Sequence, residues 1–303
     1  MNNIKVFIDK YDLNVRGYEE KNNIRIIDTD KGKYVIKPKK KYDNGLYQYL
    51  VNKNFDYILE REEFNDYEVY PYINEVEAPS PEKAIELVYT LSMLHNKTTY
   101  YREVSIDKVK ELYEKKQKEI NYLEHYYHDM QDMIEQKVYM SPGEYLLIRN
   151  MSMIYSALGY SKIKLDEWYE YKIKQKKERI VLLHNKPCVD HFLMGNKRFL
   201  ISWDDYTRDI PIYDFLYFYK HDYMDLEMST LFDVYKSKFY YTKDEKLLFL
   251  SLISIPEKIT FSNSNYINCL NVHKLVKYIA KTRDFTLKEN EEKEKEYHDE
   301  FNE

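Results

Sequence analysis

Side chains able to do chemistry crowd one stretch, Ile180 to Lys220, IVLLHNKPCVDHFLMGNKRFLISWDDYTRDIPIYDFLYFYK. His184, Cys188, Asp190 and His191 share one short loop there. Imidazole, thiolate and carboxylate are all legitimate zinc ligands, and three of them plus water make a catalytic zinc site. His184-x3-Cys188-x2-His191 is no established metal signature, though, and no second pair of ligands supports it, so no metal is expected. Lys186 lies in the same loop, and Ser202, Asp204 and Asp205 follow after two apolar runs. A lysine beside three carboxylates supplies charge of both signs, but its geometry depends on the elements around it.

Those elements can be read from the pattern. Val181–Leu183 is a short apolar strand that delivers the chain into a loop at His184. Phe192–Leu193 and Phe199–Trp203 form a hairpin-like pair, a polar turn ends at Pro211, and an aromatic helix starts near Tyr213. This order resembles the catalytic core of the aminoglycoside phosphotransferase/choline kinase superfamily, a branch of the protein-kinase-like fold. The motif there runs His-Gly-Asp, then Asn five residues after that Asp, then Ile-Asp-Phe/Leu, then an Asp-Leu-Ala helix. His184 matches the motif's histidine, which in the family braces the catalytic loop, and Asp214 matches the structural aspartate that opens the next helix. HFL…FLISWDDYTRDIPIYDFLYFY resembles the spore-coat-associated branch (the CotS, YsxE and YutH type) more than the drug-modifying kinases.

Against that motif the reactive positions are altered. Asn185 takes the glycine position, Lys186 the catalytic aspartate, His191 the metal-binding asparagine and Ser202 the magnesium-binding aspartate. Phosphoryl transfer in kinase-like sites relies on carboxylates that hold magnesium and orient the attacking hydroxyl. A protonated lysine has no lone pair with which to do either. Register drift offers substitutes, Asp190 for the catalytic residue and Asp204 or Asp205 for magnesium. Such substitutes do not inherit placement to within an ångström or so, on which the rate depends. No catalytic residue is therefore expected. ATP and magnesium enter only if the rearranged site still transfers phosphate.

The same resemblance extends upstream. Asn23 to Pro38 reads as a hairpin, with Ile24, Ile26 and Ile27, a turn through Asp28–Gly32, then Tyr34-Val35-Ile36-Lys37. Glycine tolerates positive φ in such a turn. TDKGKYVIKP resembles the family's T-x-x-G-x-Y-x-L-K strand, which makes Lys37 the match for the lysine that pairs with nucleotide phosphates. Read from residues alone, Lys37 is a solvated lysine opening the run Lys37-Pro38-Lys39-Lys40-Lys41. No glycine-rich loop precedes it, since Gly17 stands alone, and the helix over residues 45–55 carries no glutamate, leaving Asp43 or Gln48 as substitutes. Glu68–Ile73 reads as the strand entering the hinge, with Tyr70 and Tyr72 beside a nucleotide-site remnant or simply in hinge core.

Further along, Ser80 caps a helix with Pro81 as its first residue. Its apolar positions put His95 on the buried edge, where a hydrogen-bonded core histidine is the plain reading. Ser105–Lys137 is a long charged helix packed in a bundle. Ser141-Pro142-Gly143-Glu144 is a capping box, and another helix covers Lys162–Lys177. The run Lys172–Arg179 reads as a solvated face. Helices near Leu226–Lys238, Lys243–Ile255 and Ile267–Thr282 follow. The tail from Lys288, with Tyr297 and Phe301, is an exposed helix or disordered, and its composition supplies little buried surface.

Composition sets the outer bounds. The 303 residues suffice for two modest domains or one two-lobed unit. A net charge of −5 with mixed signs argues against a general nucleic-acid binder. Cys188 and Cys269 lack CxxC spacing and read as reduced thiols. No window suggests a membrane span, and the first residues lack a signal architecture. The 34 tyrosines read as core packing together with codon bias, or as cross-linking sites in an assembled coat. The expected architecture is α+β, a protein-kinase-like bilobal fold. Residues 1–73 form a lobe with a small antiparallel β-sheet and one helix, residues 74–285 a larger, mainly helical lobe, and residues 286–303 a charged tail. The expected function is that of a pseudokinase, structural or scaffolding, cytoplasmic and deposited on a spore coat, with other coat or cytosolic proteins as partners. The competing expectation is an ATP-dependent kinase of an amino-sugar or choline-like hydroxyl.

Overall fold

The structure is a computed structural model that describes residues 2–21, 24–39, 45–64 and 66–300. The chain opens with helix α1 (Asn2–Tyr11), strands β1 (Val15–Lys21), β2 (Ile24–Thr29) and β3 (Gly32–Pro38), and helix α2 (Leu46–Asn52). Strands β4 (Glu62–Glu63) and β5 (Tyr67–Pro71) complete an antiparallel sheet of order β1-β2-β3-β5-β4. Side chains alternate between the faces of a strand. Ile27, Ile36, Tyr67 and Val69 bury one face beneath Phe7 and Leu13. The register sets Lys37 opposite Glu68 and Val35 opposite Tyr70, on the other face. One helix was expected in this lobe and there are two. A ten-residue helix is marginal alone, and α1 is held by tertiary packing that local sequence does not reveal: Phe7 meets Tyr34 and Phe64 edge-on.

The second lobe begins with helix α3 (Ser80–Thr98), strand β6 (Tyr100–Glu103) and helices α4 (Ile106–Glu135), α5 (Pro142–Ile148) and α6 (Met151–Lys172). Strands β7 (Lys177–Leu183), β8 (Phe192–Met194), β9 (Arg198–Leu200) and β10 (Thr207–Asp209) follow. Helices α7 (Ile212–Asp222), α8 (Met228–Lys236), α9 (Lys243–Ser254) and α10 (Asn265–Glu300) close the chain. β10, β7 and β6 form a three-stranded antiparallel sheet, and β8 pairs with β9 as a hairpin. Together the two lobes make the mixed, mainly helical kinase-like architecture expected from sequence. α4 packs on α6 within the bundle, burying Val109, Ile120, Leu123, Tyr127, Met130 and Ile134. The tyrosines contribute heavily to the core, where Tyr127, Tyr219 and Tyr235 are among the largest fully buried side chains. Among the described residues no helix is long and apolar enough to cross a membrane.

The lobes meet at the β8–β9 hairpin and along α2. Leu200 N–H donates to Tyr57 O across the boundary at 2.8 Å, and Val76 N–H, in the segment that joins the lobes, donates to Met194 O at 2.7 Å. Gly195 at the hairpin tip leaves no room for a side chain, since a Cβ there would lie 2.9 Å from Ile73 Cγ2. Leu46, Leu50 and Phe55 pack with Leu94 and Leu182 beneath Trp203 and Tyr206, so α2 docks directly on the segment after Ser202.

Four local expectations need correction. Pro79, not Ser80, is the N-cap of α3, and no side chain caps it. α6 starts at Met151 rather than near Lys162. Its buried set, Met151, Ile154, Leu158, Ser161, Leu165, Trp168 and Lys172, runs through polar residues and past Gly159, which weakens the helical signal. α10 continues to Glu300, and the segment read as unable to bury surface contains Glu289, 1% exposed and paired with Lys236 and Lys246. Lys172 and Arg179 are not solvated: Lys172 is 3% exposed and bonded to Asp244 at 2.7 Å, and Arg179 pairs with Glu245. Lys40, Lys41, Asp43 and Phe301 lie outside the described residues.

Candidate functional site

Asp214, fully buried in the first turn of α7, organises the loop that follows β7. Its Oδ2 accepts from His184 N–H at 2.8 Å and its Oδ1 from Asn185 N–H at 2.6 Å. His95 Nε2, on α3, lies 3.0 Å from the same Oδ2, and His95 Nδ1 lies 2.6 Å from the Tyr235 hydroxyl. One tautomer satisfies both contacts, with Nε2–H donating to Asp214 and Nδ1 accepting from Tyr235. His95 is thus a hydrogen-bonded core histidine that also braces the loop. Tyr235, contributed by α8, carries no sequence signal for this role beyond its place in an apolar helical face.

The loop bends where the motif has glycine. Asn185 has φ 69°, in the left-handed region that asparagine tolerates better than most residues. Its amide donates to Asp205 O at 2.5 Å and to Thr207 Oγ1 at 2.9 Å, tying the turn to β10. His184 is fully buried, and its Nε2–H donates to Ile201 O at 2.7 Å, leaving Nδ1 without a partner among the described residues. Burial pushes the His184 pKa below its ordinary value against the pull of Asp214. His191 donates Nδ1–H to Lys186 O at 2.7 Å and closes the loop on itself. Both histidines therefore act as braces.

The residues that the sequence resemblance sets at the reactive positions are held differently. Lys186 Nζ stands 2.7 Å from Asp205 Oδ2, with both side chains about half exposed. The hydrogen bond to Asp205 raises the lysine's pKa and keeps it cationic. Ser202, which the sequence resemblance sets against the magnesium-binding aspartate, has φ 65°, a strained conformation for serine, and its hydroxyl has no partner among the described residues. The structure divides the acidic substitutes. Asp204 and Asp205 lie in the electrostatic reach of Lys186, whereas Asp190 acts on Asp222 and Cys188. Magnesium demands hard oxygen ligands in near-octahedral array. A lysine, a serine and a histidine whose Nδ1 is committed as a donor do not fit that ion. His184, Cys188, Asp190 and His191 do not converge either: no group of three potential ligands gathers among the described residues. Burial also raises the Cys188 thiol pKa, which makes it a poor ligand and nucleophile.

On the opposite lobe, Lys37 lies across the β3–β5 ladder from Glu68, with its Nζ 5.6 Å from the Tyr70 ring centroid. The Tyr70 hydroxyl donates to Glu68 Oε2 at 2.7 Å, and Arg61 Nη1 approaches Glu68 Oε1 at 3.6 Å. Burial and then Glu68 push the Tyr70 pKa far up, so the phenol is a donor. Tyr72 lies just past β5 and is 39% exposed. Gln48 is engaged with Asn52 at 3.0 Å. Glu68, which sequence reading passed over, is an acidic residue facing Lys37, and only the β3–β5 register reveals the pairing.

No protein-family model matches the sequence. No curated protein matches it at a significant level either. Solved structures do. An aminoglycoside phosphotransferase from Alicyclobacillus acidocaldarius superposes with a TM-score of 0.65 at 13% identity, over 93% of this chain and 94% of that one. A spectinomycin phosphotransferase, solved with AMP bound, gives a TM-score of 0.53 at 12% identity, over 92% of this chain and 97% of that one. Similarity at such low identity establishes the two-lobed kinase-like fold.

Proposed function

We propose that this chain is a pseudokinase: a phosphotransferase scaffold that acts by holding other molecules in place and does not transfer phosphate. One observation carries the reading. At the loop position where transfer needs a carboxylate, Lys186 projects an ammonium group and pairs with Asp205 at 2.7 Å, neutralising one of the acids left for a metal. A protonated lysine neither orients a hydroxyl nor binds magnesium. Association with a spore coat is what the sequence resemblance adds to this reading.

A second reading is an ATP-dependent phosphotransferase of an amino-sugar or choline-like hydroxyl with a rearranged site. The likeness to two antibiotic phosphotransferases supports it more directly than it supports the first. Thermal shift with ATP, with and without magnesium, separates the two, because a ligand selective for the folded state raises its stability by RT ln(1 + [L]/Kd). The pseudokinase reading expects no magnesium-dependent shift and no ATP turnover, with magnesium-dependent binding restored in the Lys186→Asp, Ser202→Asp double variant. A magnesium-dependent shift with ATP hydrolysis that Asp190→Ala or Asp204→Ala abolishes establishes the second reading and ends the first.

A further inference from the structure

A cavity of about 460 Å³ opens in the helical lobe between α4 and β10–α7, with α6 and α9 contributing its remaining walls. Ligand pockets commonly enclose about 300–1,000 Å³. This one is separate from the cleft between the lobes. Glu178 on its wall sits at the start of β7, and the loop carrying His184 leaves the other end of that strand. At about 3.3 Å per residue the two are about 16 Å apart.

The acceptors in the wall are already engaged. Glu178 takes Arg102 Nε at 2.7 Å and Lys172 Nζ at 3.3 Å. Asp244 takes Lys172 Nζ at 2.7 Å and the Thr242 hydroxyl at 2.6 Å. Glu245 takes Arg179 Nε at 3.0 Å and the Thr242 N–H at 2.9 Å. Asp209 Oδ1 accepts from Ile210 N–H at 2.8 Å. Glu111, exposed on α4, is the acidic side chain at the mouth that has no partner among the described residues.

Donors are what remain. Trp168 is 3% exposed and lines the cavity, yet its Nε1–H has no acceptor among the described residues. Trp203, by contrast, donates its Nε1–H to Leu200 O at 2.8 Å. Tyr213 lines the same space, its hydroxyl has no partner among the described residues, and burial, aided by Asp209 and Glu178, lifts its pKa to about 12. It is therefore protonated at neutral pH. Ser105, the N-cap of the 30-residue α4, makes no side-chain cap bond, so the first-turn amides and the positive end of the helix stand open at the rim. Lys108 projects from the first turn of α4 beside them, Lys115 lines the cavity about 13 Å along the helix from its start, and the Arg208 guanidinium lies over Tyr49 at 4.9 Å.

We propose that this cavity binds a small organic anion, a carboxylate or phosphate monoester on a flat apolar body, whose charge meets the α4 N-terminus and Lys108, with Lys115 adding positive potential further along the wall, while its body packs on Trp168 and Tyr213. The surplus of donors over free acceptors selects against a cation. The site stands whether or not the cleft between the lobes binds nucleotide.

Phenyl phosphate is the probe, with phenethylamine as the cationic counterpart and indole N–H resonances of the full chain as readout. A Trp203→Phe variant assigns the two indole signals. Phenyl phosphate is expected to move the Trp168 signal saturably with a Kd of about 1 mM or tighter, leaving Trp203 unmoved. Lys108→Glu with Lys115→Glu, both at exposed positions, weakens that binding about tenfold or more without changing the thermal midpoint. Lys37→Ala leaves it unchanged. A Trp168 signal unmoved at about 20 mM, equal binding of phenethylamine, or full affinity in the double lysine variant overturns the proposal.

Discussion

Replacing Asp214 by asparagine tests whether the loop after β7 is held by one buried carboxyl group. Asp214 is fully buried and receives three donors, the amides of His184 and Asn185 and the Nε2–H of His95. Asparagine fits the space but keeps one acceptor oxygen. Oriented to serve His184 and His95, it turns its NH2 toward the Asn185 amide, so two donors face each other in the core. Each buried group left unsatisfied costs about 1–3 kcal/mol, which puts Asp214→Asn at about 3 kcal/mol. Alanine strands all three donors and costs about 5 kcal/mol by the same count. A chain of this size loses about 2–3 °C of melting temperature per kcal/mol. The asparagine variant should therefore melt about 6–9 °C below the parent. Urea titration and calorimetry measure this. Tyr235→Phe, which removes the hydroxyl bonded to His95 Nδ1, should couple to Asp214→Asn by more than about 0.5 kcal/mol in a double-mutant cycle. An asparagine variant within about 0.5 kcal/mol of the parent, or strict additivity with Tyr235→Phe, would refute the idea of a single brace.

Two more expectations follow from buried groups. Burial holds the His184 pKa below 6.5, so the unfolded chain binds the extra proton as pH falls past that value. The contribution of neutral His184 is fully present above pH 6.5 and lost below it, with a slope of at most about 1.4 kcal/mol per pH unit that His184→Gln should remove from urea midpoints between about pH 7.5 and 5. Gly143→Ala should cost about 1–2 kcal/mol in the same assay despite alanine's better helix propensity, because its Cβ would lie 2.9 Å from Asn268 Cβ where α5 packs on α10; a more stable variant would show that this contact yields.

What could be read from sequence was whatever local pattern dictates. The strand Val181–Leu183, the β8–β9 hairpin, the Ser141–Glu144 capping box and the buried edge of α3 carrying His95 are each fixed by a few neighbouring residues. What escaped depends on distant partners. α1 is stabilised by aromatic rings from β3 and from the segment before β5, some 30 and 60 residues away. The basic run Lys172–Arg179 looks solvated because lysine and arginine usually are. Its ends are buried only because Glu178, Asp244 and Glu245 come to meet them from β7 and α9. Of the candidate site, the order of His184, Lys186, His191, Ser202 and Asp214 was legible, whereas Glu68 facing Lys37 and Tyr235 behind His95 required register and packing.

The site divides into two groups of residues under different physical demands. His95, His184 and Asp214 are fully buried, and each satisfies a backbone or side-chain polar group that would otherwise be stranded in the core. Changing them costs folding free energy whatever the protein does. Lys186 and Asp205 are about half exposed, and an ion pair of that kind contributes little to stability. The loop can therefore hold its shape with either a carboxylate or an ammonium at position 186. Preservation of the brace consequently speaks for the fold alone. Evidence about phosphate transfer has to come from the exposed positions, where substitutions change the chemistry on offer without unseating the buried brace.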